Sequence, residues 1–160
     1  MRNATLLFMV KRSDGGEVTE VLLAMKKRGF GEGRYNGVGG KVNEGESIED
    51  AARREAHEEV GVTVRDIRKV AELTFTFPHS QSWNQVVHAY ICDSWVGEPA
   101  ESEEMAPKWF ATEDIPYFKM WPDDIFWLPQ VLEGKLIKAS FTFVEGDIVK
   151  DKSVETVGSF

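Results

Sequence analysis

The stretch from Gly40 to Val62, GKVNEGESIEDAARREAHEEVGV, constrains this chain more than any other. Ser47 stands three residues before Asp50, the capping-box spacing that starts a helix. Gly61 is a natural stop, because glycine tolerates the left-handed backbone that ends helices. Between them Ile48, Ala51, Ala52, Ala56 and Val60 recur at intervals of three and four, so a helix is expected. Glu55, Glu58 and Glu59 stand at i, i+3 and i+4, one stripe roughly 100° wide that continues the apolar stripe instead of opposing it. Carboxylates on a buried face repel and lose hydration unless a cation joins them. A solvated acidic face with an Arg54–Glu58 ion pair is one reading. The shared stripe favours the other, a platform for Mg²⁺ or Mn²⁺, hard cations that take oxygen ligands.

The rest of the chain narrows the classes. One hundred and sixty residues fit a single domain, 1–160, with a sizeable core. A formal net charge of −8 argues against a nucleic acid polymer as partner, but not against a small polyphosphate carried by a metal. The lone cysteine, Cys92, excludes an internal disulfide and a cysteine zinc site, and fits a reducing, cytoplasmic setting. The apolar run Leu6–Val10 is too short for a signal core or a membrane span, so no membrane partner is expected. Thr5 to Val10 reads as a central strand, paired through a turn at Ser13–Gly16 with a second strand, Val18 to Met25.

The segment Gly29 to Gly40, GFGEGRYNGVGG, invites a phosphate-loop reading that fails: no Ser or Thr follows Lys41, and the spacing is absent. Its glycines fit a backbone passing close to a metal. Within it Asn36 is either a turn asparagine or a contact to a substrate base. Lys26, Lys27 and Arg28 are either a solvated basic loop or cations for phosphates. Val62–Ile67, Val70–Phe77, Gln85–Ile91 and Met105–Ala111 read as strands, the second with Leu73, Phe75 and Phe77 on one face. His88 reads as a satisfied, half-buried histidine. The segment Trp121-Pro122-Asp123-Asp124 opens a helix closed by Gly134, with Pro129 expected to kink or break it. Leu136–Val144 and Ile148–Val154 form a last hairpin, followed by a loose tail after Thr156. With strands outnumbering two main helices, the fold class is α+β with a mixed sheet.

Gly40, five residues, Glu46, seven residues, then Arg54-Glu55-Ala56-His57-Glu58-Glu59-Val60-Gly61 resembles a complete Nudix box, with Ala56 where a larger aliphatic is usual. The resemblance implies the Nudix fold, an α/β/α sandwich, and Mg²⁺-dependent hydrolysis of a nucleoside diphosphate linked to another group. It implies metal ligands at Glu55, Glu58, Glu59 and the Gly39 carbonyl, with Glu104 from outside the box. Glu59 or Glu104 would serve as base, and Arg54 and Glu46 would brace the ligands.

Met25 to Gly31, Asn36-Gly37, Glu101 to Met105 and Trp121 to Trp127 further resemble the branch of that family that hydrolyses oxidised purine nucleoside triphosphates. That branch implies base contacts from Asn36, Asp123 and Asp124. Trp121, Trp127, Phe30, Phe75, Phe77 and Met105 would form the walls, Thr5 and Leu6 the floor, and Lys26 would lie near the phosphates. The implied reaction converts 8-oxo-dGTP or 2-hydroxy-dATP to monophosphate and pyrophosphate, by a monomer. Adjacent carboxyls in an aromatic pocket cannot both ionise cheaply, so one can hold a proton and the pair can donate and accept at once. Three places depart from the branch: a longer turn at Ser13–Glu17, a different Pro78–Gln85 segment lacking the expected methionine near Gln85 or Val86, and Tyr35 in place of tryptophan. Another Nudix substrate (a dinucleoside polyphosphate, a nucleotide sugar or capped RNA) and an inactive nucleotide-binding module are the alternatives.

Overall fold

The computed structural model describes all residues, 1–160. The chain runs through β1 (Arg2–Arg12), β2 (Val18–Lys26), β3 (Tyr35–Asn36), α1 (Ile48–Val60), β4 (Thr63–Val64), β5 (Ile67–Thr76) and β6 (Gln85–Cys92). It continues through β7 (Trp95–Val96), β8 (Met105–Ala111), α2 (Asp124–Leu132), β9 (Leu136–Val144) and β10 (Ile148–Val157). The main sheet has the order β10-β9-β5-β6-β1-β2-β3, with β8 also on β2; β4 and β7 form a separate ladder. The β1–β6 and β5–β9 pairs are parallel and the others antiparallel, so the sheet is mixed.

Alternation along β1 explains the layers. Leu6, Phe8 and Val10 face α2, where Trp127, Leu128 and Val131 are buried among them. Leu7 and Met9 face α1 and meet Ala52, Ala56 and Val60. The two helices therefore cover opposite faces, giving the α/β/α sandwich. Ala56 is fully buried in the α1 contact. Full burial of side chains the size of Leu7 or Phe8 contributes about 1.5–3 kcal/mol each.

The feature that positions the site is a split in the sheet. β1 pairs with β2 only from Val10 to Arg12, while on its other edge it pairs with β6 from Arg2–Gln85 to Met9–Cys92. Where β2 peels away, the glycine loop takes over its edge: Leu7 N–H donates to Val38 O at 2.6 Å and Thr5 N–H to Gly40 O at 2.8 Å. A gap opens there between β1 and β2, with a helix at either side.

One local expectation changes. α2 runs through Pro129 and ends at Leu132. Proline removes a backbone donor, but Trp127, Leu128 and Val131 anchor the helix in the core and Gln130 Nε2 donates to Phe126 O at 3.0 Å. The ladder with β9 runs one residue past Thr156, to Val157–Leu136, and residues 158–160 lie beyond it.

Candidate active site

α1 begins as its sequence dictates: Ser47 Oγ accepts from Asp50 N–H at 3.1 Å, and Gly61 ends it at φ 76°. Its three glutamates meet different surroundings. Glu58 is exposed, Glu55 half-buried and Glu59 buried. Arg54 ties the first two together: Nη1 donates to Glu55 Oε1 at 2.9 Å and to Glu58 Oε2 at 3.2 Å. Its other nitrogens grip Glu46 in a two-pronged pair at 2.7 and 3.0 Å, and Lys41 O at 3.0 Å. That pairing holds the Glu46 carboxyl below the usual range. Glu59 accepts from Gly39 N–H at 3.2 Å, yet burial and then the neighbouring Glu55 carboxyl push it up to about 8.

The glycine loop reaches this end only because it lacks side chains. A Cβ on Gly39 would lie 1.9 Å from Thr5 O, and one on Gly40 would lie 2.6 Å from Glu55 Oε1. The backbone of Gly39 and Gly40 is thereby pressed between β1 and the glutamates.

The basic run and the acidic loop, read separately in the sequence, close on each other. Lys27 pairs with Glu101 and donates to Ser102 O at 2.9 Å, while Arg28 meets Glu103 at 3.4 Å and Glu104 at 3.8 Å. Lys26 Nζ lies 3.5 Å from Glu104 Oε2. Exposed pairs of this kind contribute little stability, ~0–1 kcal/mol. Their consequence is positional: Glu104 is carried to the same opening as Glu59.

At the opposite end, Asp123 and Asp124 are each 3% exposed. Neither caps α2; Asp123 takes helical φ and ψ at the cap position and makes no side-chain capping bond. Its Oδ2 instead accepts from Trp127 Nε1–H at 2.9 Å. Burial pushes Asp123 up to about 6, against the pull of that bond. Asp124 is raised well above the carboxylate range by burial and by Asp123 beside it. Its Oδ2 is the one buried side-chain polar atom in the protein without a hydrogen-bond partner.

One cavity of about 630 Å³ joins the two ends. Thr5, Leu6, Lys26, Phe30, Asn36, Gly39, Glu59, Phe75, Phe77, Glu104, Met105, Trp121, Asp123, Asp124 and Trp127 all line it. Glu55, Glu58 and Arg54 do not; the Glu55 carboxyl lies against Gly40, and Arg54 bonds it to Glu58. No three acidic side chains converge on a single point as a ready-made metal cage. The oxygen donors at this end suit a hard cation, and burial beside Glu55 makes the Glu59 anion costly, a cost that a bound cation would relieve.

The model of the NUDIX domain matches residues 1–131. The chain belongs to the Nudix family. The oxidized purine nucleoside triphosphate hydrolase of Mus musculus is 47% identical over 140 residues, covering 88% of this chain and 89% of that protein. The protein of the same name from Danio rerio is 46% identical over 137 residues, covering 86% and 87%. Among solved structures, the MutT protein of Bacillus halodurans superposes with a TM-score of 0.82 at 21% identity, covering 97% of this chain and 98% of that one, a likeness of fold. Nudix hydrolases generally use a divalent metal and act on small nucleotide substrates. No helix of this Nudix hydrolase is long and apolar enough to cross a membrane.

The three departures fall in different places. The Ser13–Glu17 turn and Tyr35 do not line the cavity; Tyr35 packs edge-on against Phe110 at 5.1 Å. The Pro78–Gln85 segment does reach it. Gln85 is a lining residue, and Trp83 stands 5.5 Å from Phe30 and 5.6 Å from Phe77 at the rim. Sequence reading missed Arg34, Gln85, Val87, Leu73 and Phe143 as lining residues. Phe143 was within reach, because Ile137, Ala139, Phe141 and Phe143 alternate on β9. Arg34 carried no such signal. His88 is satisfied as expected: it contacts Lys69 Nζ at 2.9 Å and Asn3 Oδ1 at 3.0 Å, and burial and then Lys69 lower its pKa.

Proposed function

We propose that this Nudix hydrolase converts oxidised purine nucleoside triphosphates, 8-oxo-dGTP and 2-hydroxy-dATP among them, to the monophosphate and pyrophosphate, and so clears mutagenic precursors from the nucleotide pool. The observation that carries the reading is one cavity with a buried carboxyl pair at one end and Glu59 at the other. Similarity to the mouse and zebrafish enzymes over most of both chains supports it.

In this reading the purine enters between Trp121, Phe75, Phe77 and Phe30, with Met105, Trp127, Thr5 and Leu6 completing the surround. Asp123 stays the acceptor, because Trp127 donates to it. Asp124 keeps its proton, since burial and its neighbour disfavour the anion, and its free Oδ2 meets the purine's polar edge. That assignment is for the free protein; a bound base with the opposite edge shifts the proton to the other carboxyl, so one pocket matches different oxidised edges. Asn36 contacts the base from the other side; its Oδ1 already accepts from Gly37 N–H at 2.9 Å, which leaves the amide N–H₂ as donor.

At the other end Glu55, Glu58, Glu59, Glu104 and the Gly39 carbonyl would hold Mg²⁺, with Mn²⁺ as substitute. A bound cation there neutralises phosphate oxygens and lowers the pKa of an attacking water. Glu59 or Glu104 takes the proton from that water. Arg54 orients Glu55 and Glu58, and Lys26 meets phosphate once it leaves Glu104. The chain acts as one domain, 1–160, and as a cytoplasmic monomer. The test is a panel of normal and oxidised nucleoside triphosphates with Mg²⁺, scored by pyrophosphate released. Preference for the oxidised purines is expected; turnover of dinucleoside polyphosphates or nucleotide sugars alone would replace this reading, and no turnover of any nucleotide would make the protein a binding module.

A further inference from the structure

Arg34 was not singled out by any motif, yet it lines the cavity and touches Trp121 of its wall together with two segments outside the lining, at Met120 and Asp147. Its guanidinium lies 4.2 Å from the centre of the Trp121 ring. Its Nη2 donates to Asp147 Oδ2 at 2.9 Å, in the β9–β10 turn, and Nη1 reaches Met120 O at 3.5 Å. The backbone beneath it is fixed: Arg34 N–H donates to Gly31 O at 3.0 Å, and Arg34 O accepts from Lys26 N–H at 3.0 Å. Asp147 holds φ 58°, the only non-glycine residue with positive φ, in the turn that presents its carboxylate. Trp121 O in turn accepts Asp124 N–H at 3.0 Å, so the backbone of Trp121 and the place of Asp124 are coupled.

We propose that Arg34 is a positioning residue for base recognition: it braces Trp121, the chain at Met120 and the β9–β10 turn as one wall, and that brace sets how strictly the pocket selects the purine edge. The inference rests on the functional reading above. A planar fork suits the task, because it stacks on an indole and bonds two oxygens at once, which an ammonium cannot do with the same geometry. The charge of Arg34 also favours the ionised form of Asp123, the second effect of the same side chain on the same wall.

The test compares the wild type with Arg34→Gln, Arg34→Lys and Asp147→Asn. Steady-state kinetics use 8-oxo-dGTP and dGTP with Mg²⁺, and amide hydrogen exchange follows residues 119–124 and 145–148 without nucleotide. Arg34→Gln is expected to raise KM for 8-oxo-dGTP roughly tenfold, the size of a partly buried cation–π contact, with a smaller change in kcat and a narrower gap to dGTP. Exchange should quicken in both segments. Arg34→Lys should recover part of the KM, and Asp147→Asn, on a half-exposed turn that tolerates change, should reproduce a smaller loss of the same kind. The proposal is overturned if Arg34→Gln keeps KM and selectivity within twofold of wild type. It is equally overturned if kcat/KM falls alike for both nucleotides together with Tm, which is a general loss of structure. A wild type that does not prefer 8-oxo-dGTP defeats the functional reading, and the exchange data then decide the brace alone.

Discussion

The two acidic ends of the cavity are built from the same functional group in opposite settings. At α1 the carboxylates are graded from exposed Glu58 to buried Glu59, and Arg54 with Glu46 binds the exposed members into an ion-paired frame. At α2, Asp123 and Asp124 are both buried; a single indole N–H reaches Asp123, and one oxygen of Asp124 has no partner. At α1 only Glu55 and Glu58 lie beside the Arg54 cation and nearer water; Glu59 is pushed up to about 8 by burial and then by Glu55, so its anion calls for a bound cation. Carboxyls withdrawn from both water and cations are cheaper protonated and become donors as well as acceptors. Environment, not residue type, would then divide chemistry from recognition.

The comparison breaks most visibly at Glu59. Glu59→Gln should lower kcat about 10³-fold, the scale of losing a general base, measured as pyrophosphate release at saturating Mg²⁺. A loss confined to KM would move α1 out of the chemistry. Next comes the other end: Asp123→Asn should cost about 10²-fold in kcat/KM for 8-oxo-dGTP, with kcat less affected, as expected for a buried charged acceptor. Unchanged turnover of both 8-oxo-dGTP and 2-hydroxy-dATP would remove Asp123 from recognition. The frame behind the glutamates is a smaller lever. Arg54→Gln should raise the Mg²⁺ concentration for half-maximal activity about tenfold, as supporting residues of metal sites do.

The smallest effect concerns stability and has a definite sign. An unfolded Asp titrates near 3.9. Folded Asp124 titrates well above that, because of burial and Asp123. The native state therefore holds more protons than the unfolded chain above pH ~4, and stability falls as pH rises toward the folded pKa. Asp124→Asn cannot ionise, so it should raise Tm by a few degrees at pH 8 and leave it nearly unchanged at pH 3. An equal shift at both pH values would mean that Asp124 is not the buried acid inferred here.

Much of this was legible in the chain. The capping box at Ser47, the stop at Gly61, the strand at Leu6–Val10 and the final hairpin follow from local spacing and turn chemistry, and the structure realises them. Pro129 does not end the helix, because tertiary burial of Trp127 and Val131 outweighs one lost donor. The two charged loops were legible only one at a time: nothing in either sequence says that Lys26, Lys27 and Arg28 will meet Glu101, Glu103 and Glu104 some 75 residues on. Arg34 was invisible, since its partners lie 86 and 113 residues away.

By itself, then, the sequence determined the helix of α1, the stripe on which its three glutamates lie, and membership of the Nudix family, because these depend on residues within a few turns of one another. Only the tertiary structure decided which of those glutamates is buried, that the glycine loop replaces β2 along β1, and that Asp123 and Asp124 share a cavity with Glu59. The reason is the divergence of β1 from β2. A sheet that stayed paired to the end would have no gap there, and the two acidic ends would face separate layers.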